Sequence, residues 1–159
     1  MELKRVVVTG LGAITPIGNN VSDFWENLVN GVSGAGPITH FYASLFKTQF
    51  ACEVKGFDAT KYIDRKEARK MDLDTQYAIA VAKEAVGDSG LDVANEDFNR
   101  IGVIFGAGIG GIRTFEEEAG NYALTGKENG TKLHPFFIPK MMSAIAAGQL
   151  SLMYGLHGP

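Results

Sequence analysis

RIGVIFGAGIGGIRTFEEE, residues 100–118, runs from an apolar segment at 101–105 straight into Gly106, Gly108 and Gly111. The spacing is a literal G-x-G-x-x-G after a β-branched run, the pattern of a strand that empties into a phosphate-binding turn. A dinucleotide site also needs a following helix and then a second strand, ending in an acid about 20 residues on that holds the ribose. That strand is missing from the sequence, because AGNYALTGKENGTKLHP, residues 119–135, contains no apolar run. The three glutamates at 116–118 bring negative charge towards any helix that would hold a pyrophosphate. The other glycine loop, TGLGAITPIG at 9–18, has Thr15 where a third glycine would stand. These glycines are therefore expected to serve something other than a nucleotide.

Working outward, residues 5–9 (RVVVT) read as a buried, β-branched strand, with Gly10, Gly12 and Pro16 punctuating the loop after it. Ser22 is the expected N-cap of a helix over SDFWENLVN, with Phe24, Leu28 and Trp25 facing inward and Gly31 ending it. Residues 33–58 are loop-rich with a short strand at 48–54, and a basic helical turn occupies 61–72. DTQYAIAVAKEAVGDSG is a helix capped by Asp74, and 101–105 is a second strand. A polar excursion follows at 119–135, then SAIAAGQLSLMY forms a last helix ended by Gly155. The order β-α-loops-α-β-loop-α points to a layered α/β architecture.

Composition narrows the function classes. The 159 residues are 45% hydrophobic and 21% charged, enough for one ordinary domain burying roughly two-thirds of its unfolded surface. No apolar run approaches the roughly 20 residues needed to cross a bilayer, so a cytosolic protein is expected. The net charge of −3 does not suggest nucleic acid. A lone cysteine, Cys52, forbids an internal disulfide, and its alternating neighbours make it a packing residue by default. His40, His134 and His157 are far apart and lack zinc spacing.

Five blocks fit a single family in order and spacing. They are VVVTGLGAITPIGN (6–19), DRKEARKMD (64–72), QYAIAVAKEAVGDSGL (76–91), RIGVIFGAGIGG (100–111) and PFFIPKMMSAIAAGQLSLMYGLHGP (135–159). Together they resemble the N-terminal part of the β-ketoacyl-acyl carrier protein synthase II condensing enzymes of fatty-acid elongation. The resemblance implies a thiolase-like layered α/β fold, of which residues 1–159 are the N-terminal half only and incomplete, in an enzyme that works as a homodimer. It implies acyl transfer from a carrier protein to a cysteine, decarboxylation of malonyl-carrier protein and attack of the carbanion on the thioester, with no nicotinamide, metal or other cofactor. In relatives the nucleophilic cysteine follows the segment resembling YGLHGP, and two histidines and a lysine come much later. The domain at 1–159 is accordingly expected to stop before its nucleophile and to be inactive alone.

Residue by residue, the resemblance implies that Ile109 projects into the acyl pocket and limits chain length, and that Phe137 reaches the pocket of the other subunit, with Phe136 beside it as the alternative. Arg65, Lys66, Arg69 and Lys70 would dock the acidic carrier protein and its phosphopantetheine arm. The residues themselves agree, because a helix there sets Lys66, Arg69 and Lys70 at i, i+3 and i+4 on one face. The bland alternative is a solvated helix neutralised by Asp64, Glu67 and Asp72. A non-catalytic ketosynthase-like module that binds carrier protein or a partner subunit is the runner-up function.

Overall fold

The computed structural model describes residues 4–126 and 133–159. It divides into two compact units, Met1–Asp58 with Val81–Leu91, and Ala59–Ala80 with Asp92–Pro159.

The first unit is organised by the C-terminal half of a long helix. The opening loop runs so close to that half that a Cβ on Gly10 would lie 2.1 Å from the Ala85 carbonyl, and one on Gly12 2.1 Å from the Val81 carbonyl. Only glycine permits this approach, so here the glycines serve backbone packing. Carboxylates on the helix satisfy the loop's amides. Glu84 accepts from Ala13 N–H at 2.9 Å and Val21 N–H at 2.8 Å, and Asp88 accepts from Leu11 N–H at 2.9 Å. Helix α1 (Val21–Val29) begins one residue before the predicted start. Its N-cap is Asn20, whose side chain accepts from Asp23 N–H, and not Ser22. Phe24 is half-buried, but Trp25 is 63% exposed and Leu28 is exposed too, against the inward placement predicted for both. The predicted strand at 48–54 shortens to β2 (Phe50–Ala51), which pairs antiparallel with β1 (Gly36–Pro37). Cys52 falls just past this ladder and is exposed, so it is not the buried packing residue expected.

The second unit holds helix α2 (Arg65–Ala68), the first half of α3 (Leu73–Ser89), α4 (Ile112–Asn121), α5 (Phe137–Met141) and α6 (Ile145–Tyr154). A π-helical turn at Tyr122–Gly126 extends α4 into the predicted polar excursion, of which 127–132 lie outside the described residues. The buried side chains are mostly small: Thr75, Ala78, Ile79 and Ala80 on α3, Ala146 and Leu150 on α6, and Ala68 on α2.

The two predicted strands at 5–9 and 101–105 run without a ladder. A strand is stabilised by a run of hydrogen bonds to a neighbour and by cover on both faces, and among the described residues neither segment has such a ladder. Val6 is 90% exposed, so the expectation of a buried strand at 5–9 is overturned, and in the second segment Ile104 is 99% exposed. Along 101–108 exposure still alternates residue by residue, half-buried at Ile101, Val103 and Phe105 and open at Gly102, Ile104 and Gly106. The period-2 geometry of a strand is therefore present, with one face bare. No helix among the described residues is long and apolar enough to cross a membrane.

Candidate functional site

All six residues singled out from sequence lie in the second unit, on α2 and the turn after it, on α5 and in the glycine loop. Asp64 starts α2, its side chain accepting from Lys66 N–H at 2.8 Å. The helix is shorter than the predicted 61–72. After Ala68 it tightens, with Lys70 N–H bonding Glu67 O at 2.9 Å and Met71 N–H bonding Ala68 O at 3.2 Å. Gln76 on α3 terminates it by donating from Nε2 to Ala68 O at 2.9 Å and Met71 O at 3.2 Å, satisfying carbonyls a helix end leaves orphaned. Lys66 and Lys70 thus do not share a regular helical face. Arg65, Lys66 and Arg69 are exposed, whereas Lys70 pairs with Glu67 at 2.6 Å and sits 5.7 Å from the centre of the Phe136 ring.

The glycine loop is held from two sides. Gly110 has φ +75°, a conformation glycine adopts freely, and a Cβ there would lie 2.8 Å from Met141 O. Gly111 donates its N–H to Met141 O at 3.3 Å, and a Cβ on it would meet Lys140 O at 2.1 Å. The loop therefore packs against the end of α5. Ile109, next to Gly110, is 69% exposed at the loop's tip, so core packing is not its role among the described residues. From the other side, the Thr114 hydroxyl in the first turn of α4 donates to Asp72 Oδ2. Asp72 also caps α3, its Oδ1 accepting from Leu73 N–H and its carbonyl from Gln76 N–H. Asp74, one residue into that helix, has its carboxyl held above the ordinary carboxylate range, chiefly by burial and secondarily by the Asp72 charge.

The two adjacent phenylalanines part company. Phe137 stacks on Phe115 of α4, ring centres 6.3 Å apart and planes inclined by 21°, while Phe136 lies under Lys70 and beside the His134 ring. The Asp72–Thr114 bond, the Gln76 cap and the Phe115 stack were missed by sequence reasoning. No local spacing could reveal them, since 42 residues separate Asp72 from Thr114. His40 approaches Glu53 at 3.9 Å in the first unit, and His134 and His157 are exposed in the second. No group of three or more His, Cys, Asp or Glu side chains among the described residues is placed to hold a metal ion.

The family model described as "Beta-ketoacyl synthase, N-terminal domain" matches residues 3–159. The chain belongs to that family. It is 48% identical over 159 residues to 3-oxoacyl-[acyl-carrier-protein] synthase 2 of Vibrio harveyi, covering all of this chain and 38% of the relative. Identity to the protein of the same name from Synechocystis is 42%, again over all of this chain and 38% of the relative. The chain thus spans well under half the length of these curated relatives. Among solved structures, the ishigamide ketosynthase/chain length factor superposes with a TM-score of 0.84 at 25% identity, over 96% of this chain and 38% of that one. A ketosynthase complex with a type II polyketide acyl-carrier protein, bound to the hexaketide, superposes with a TM-score of 0.78 at 30% identity, over 99% of this chain and 41% of that chain. The β-ketoacyl synthase fold is the thiolase-like α/β fold, and this chain carries part of its N-terminal half.

Proposed function

We infer that residues 1–159 are the N-terminal portion of an elongating condensing enzyme, a domain that stops before its nucleophile. The whole enzyme would extend a carrier-bound acyl thioester by decarboxylative condensation with malonyl-carrier protein. The single observation that carries this reading is the match along 3–159 to a β-ketoacyl synthase family whose similar members are named 3-oxoacyl-[acyl-carrier-protein] synthase 2. The geometry supports a division of labour within it. Arg65, Lys66 and Arg69 offer exposed positive charge to an acidic carrier protein, and Ile109 stands at the tip of a loop clamped by backbone contacts. Phe137, anchored on Phe115, contributes to the wall of the acyl site in a homodimer.

The chemistry needs an activated cysteine, with groups that stabilise the developing oxyanion and assist loss of carbon dioxide. Cys52 is exposed beside a two-residue ladder and is not that nucleophile. His157 N–H bonds Phe98 O and Gly158 N–H bonds Ile101 O, each at 2.9 Å, so the YGLHGP segment lies against the start of 101–105. Peptide mapping of the full-length protein after incubation with acyl-carrier protein tests the reading. The acyl thioester is expected on a cysteine outside residues 1–159, and an acyl group on Cys52 overturns it.

A further inference from the structure

The Asp72 side chain stands between the two halves of the candidate site. Its Oδ1 caps α3 through Leu73 N–H, while its Oδ2 accepts from the Thr114 hydroxyl, three residues beyond Gly111. On one side Asp72 follows directly from the cationic segment: the Gln76 side-chain amide donates to Ala68 O and Met71 O, and the Gln76 backbone N–H donates to the Asp72 carbonyl. On the other side the Asp72 carboxylate faces the glycine loop, where a Cβ at Gly111 would lie 2.8 Å from Oδ2.

A run with glycines at 106, 108, 110 and 111 has more backbone freedom to lose than one of ordinary residues, and its own grip is slight. The Gly111–Met141 bond is long at 3.3 Å. A hydroxyl bonded to a carboxylate is charge-assisted and stronger than a neutral pair, and this one fixes the first turn of α4, on which the loop ends.

We propose that Asp72 and Thr114 are positioning residues for acyl-chain selection: their hydrogen bond fixes the Ile109 loop against the junction of α2 and α3. This rests on the reading of Ile109 as the wall of the acyl site. The bond does not touch substrate. It sets how far Ile109 can retreat before a long acyl chain.

Thr114→Val in the full-length enzyme is the informative change, because it removes the hydroxyl at nearly constant volume, whereas altering Asp72 would also uncap α3. A lost hydrogen bond to a charged group, about 1.5–3 kcal/mol, corresponds to roughly a ten- to hundredfold effect. Two readouts are expected to move by about that factor. Hydrogen exchange across 106–115 becomes faster, which is measurable whether or not the protein condenses anything. The ratio of kcat/KM for sixteen-carbon to six-carbon primers shifts, while the KM for carrier protein stays near that of the parent. Thr114→Ser, which keeps the hydroxyl, restores both. Unchanged exchange overturns the proposal, as does an equal loss at every primer length. If the parent itself fails to condense, the functional reading falls, and the exchange readout still decides whether the tie holds the loop.

Discussion

The Lys70 ammonium lies 2.6 Å from the Glu67 carboxylate, so one of the four cations in the proposed docking segment is already paired within the chain. Both side chains are substantially exposed, and such pairs are worth about 0.2–1 kcal/mol. A carrier protein can therefore capture Lys70 cheaply, but it must compete with Glu67 to do so.

That competition has a direction. Glu67→Gln frees Lys70 and removes a negative charge from the patch, so affinity for carrier protein is expected to rise about two- to fivefold, read as a fall in KM for carrier-borne substrate. Reversing Arg65, Lys66 and Arg69 together to Glu should raise that KM and leave turnover of a small thioester mimic near normal, because rim charges act mainly on encounter. Added salt should weaken the parent in the same sense, the field being screened over roughly 8–10 Å. Carrier affinity indifferent to all three manipulations would reduce the segment to a solvated surface.

Ile109 carries the prediction on chain length. Each buried methylene is worth about 0.8 kcal/mol, so denying the pocket one two-carbon unit costs roughly 1.6 kcal/mol, or about fifteenfold in discrimination. Ile109→Phe is expected to shorten the primers accepted and to spare condensation of short ones. Equal loss from six to fourteen carbons would speak for general damage instead.

Asp74 supplies a pH test. Burial first, and the Asp72 charge second, hold its carboxyl above the ordinary range in the folded state. A raised folded-state value means that the folded protein keeps its proton where the unfolded chain has lost it. The residue then costs stability as pH climbs from the unfolded value through the raised one, and costs nothing below both. Asp74→Asn should therefore raise the thermal midpoint of the full-length enzyme at pH 7 and match the parent near pH 3. A difference of the same size at both pH values would assign the effect to packing.

Helices were legible in the sequence where apolar period and end signals agreed. The long one came out at Leu73–Ser89, although Asp74 lies inside its first turn and is not the cap expected, and the last ran from Ile145 to Tyr154 and stopped at Gly155 as read. Errors gathered where distant groups decide the outcome. Asn20 displaced Ser22 as the cap because its side-chain Oδ1 accepts from Asp23 N–H at 2.7 Å, a choice between neighbours that composition leaves open. The segments at 5–9 and 101–105 have the β-branched content of strands, but a ladder belongs to a pair and not to a segment. At the site, the roles proposed for Ile109 and the cations come from resemblance. The Asp72–Thr114 and Phe115–Phe137 contacts needed three-dimensional neighbours, and the shortness of α2 needed the Gln76 amide that ends it.

Condensation itself is the most direct test. The full-length protein is incubated with an acyl-carrier protein and malonyl-carrier protein, and the carrier-bound products are read by mass spectrometry. A 3-oxoacyl-carrier protein two carbons longer than the primer, formed with release of carbon dioxide by the full-length protein and not by residues 1–159 alone, is the result expected. Carrier protein bound at the Arg65–Lys66–Arg69 surface with no lengthened product would contradict the account and make this a binding module without chemistry.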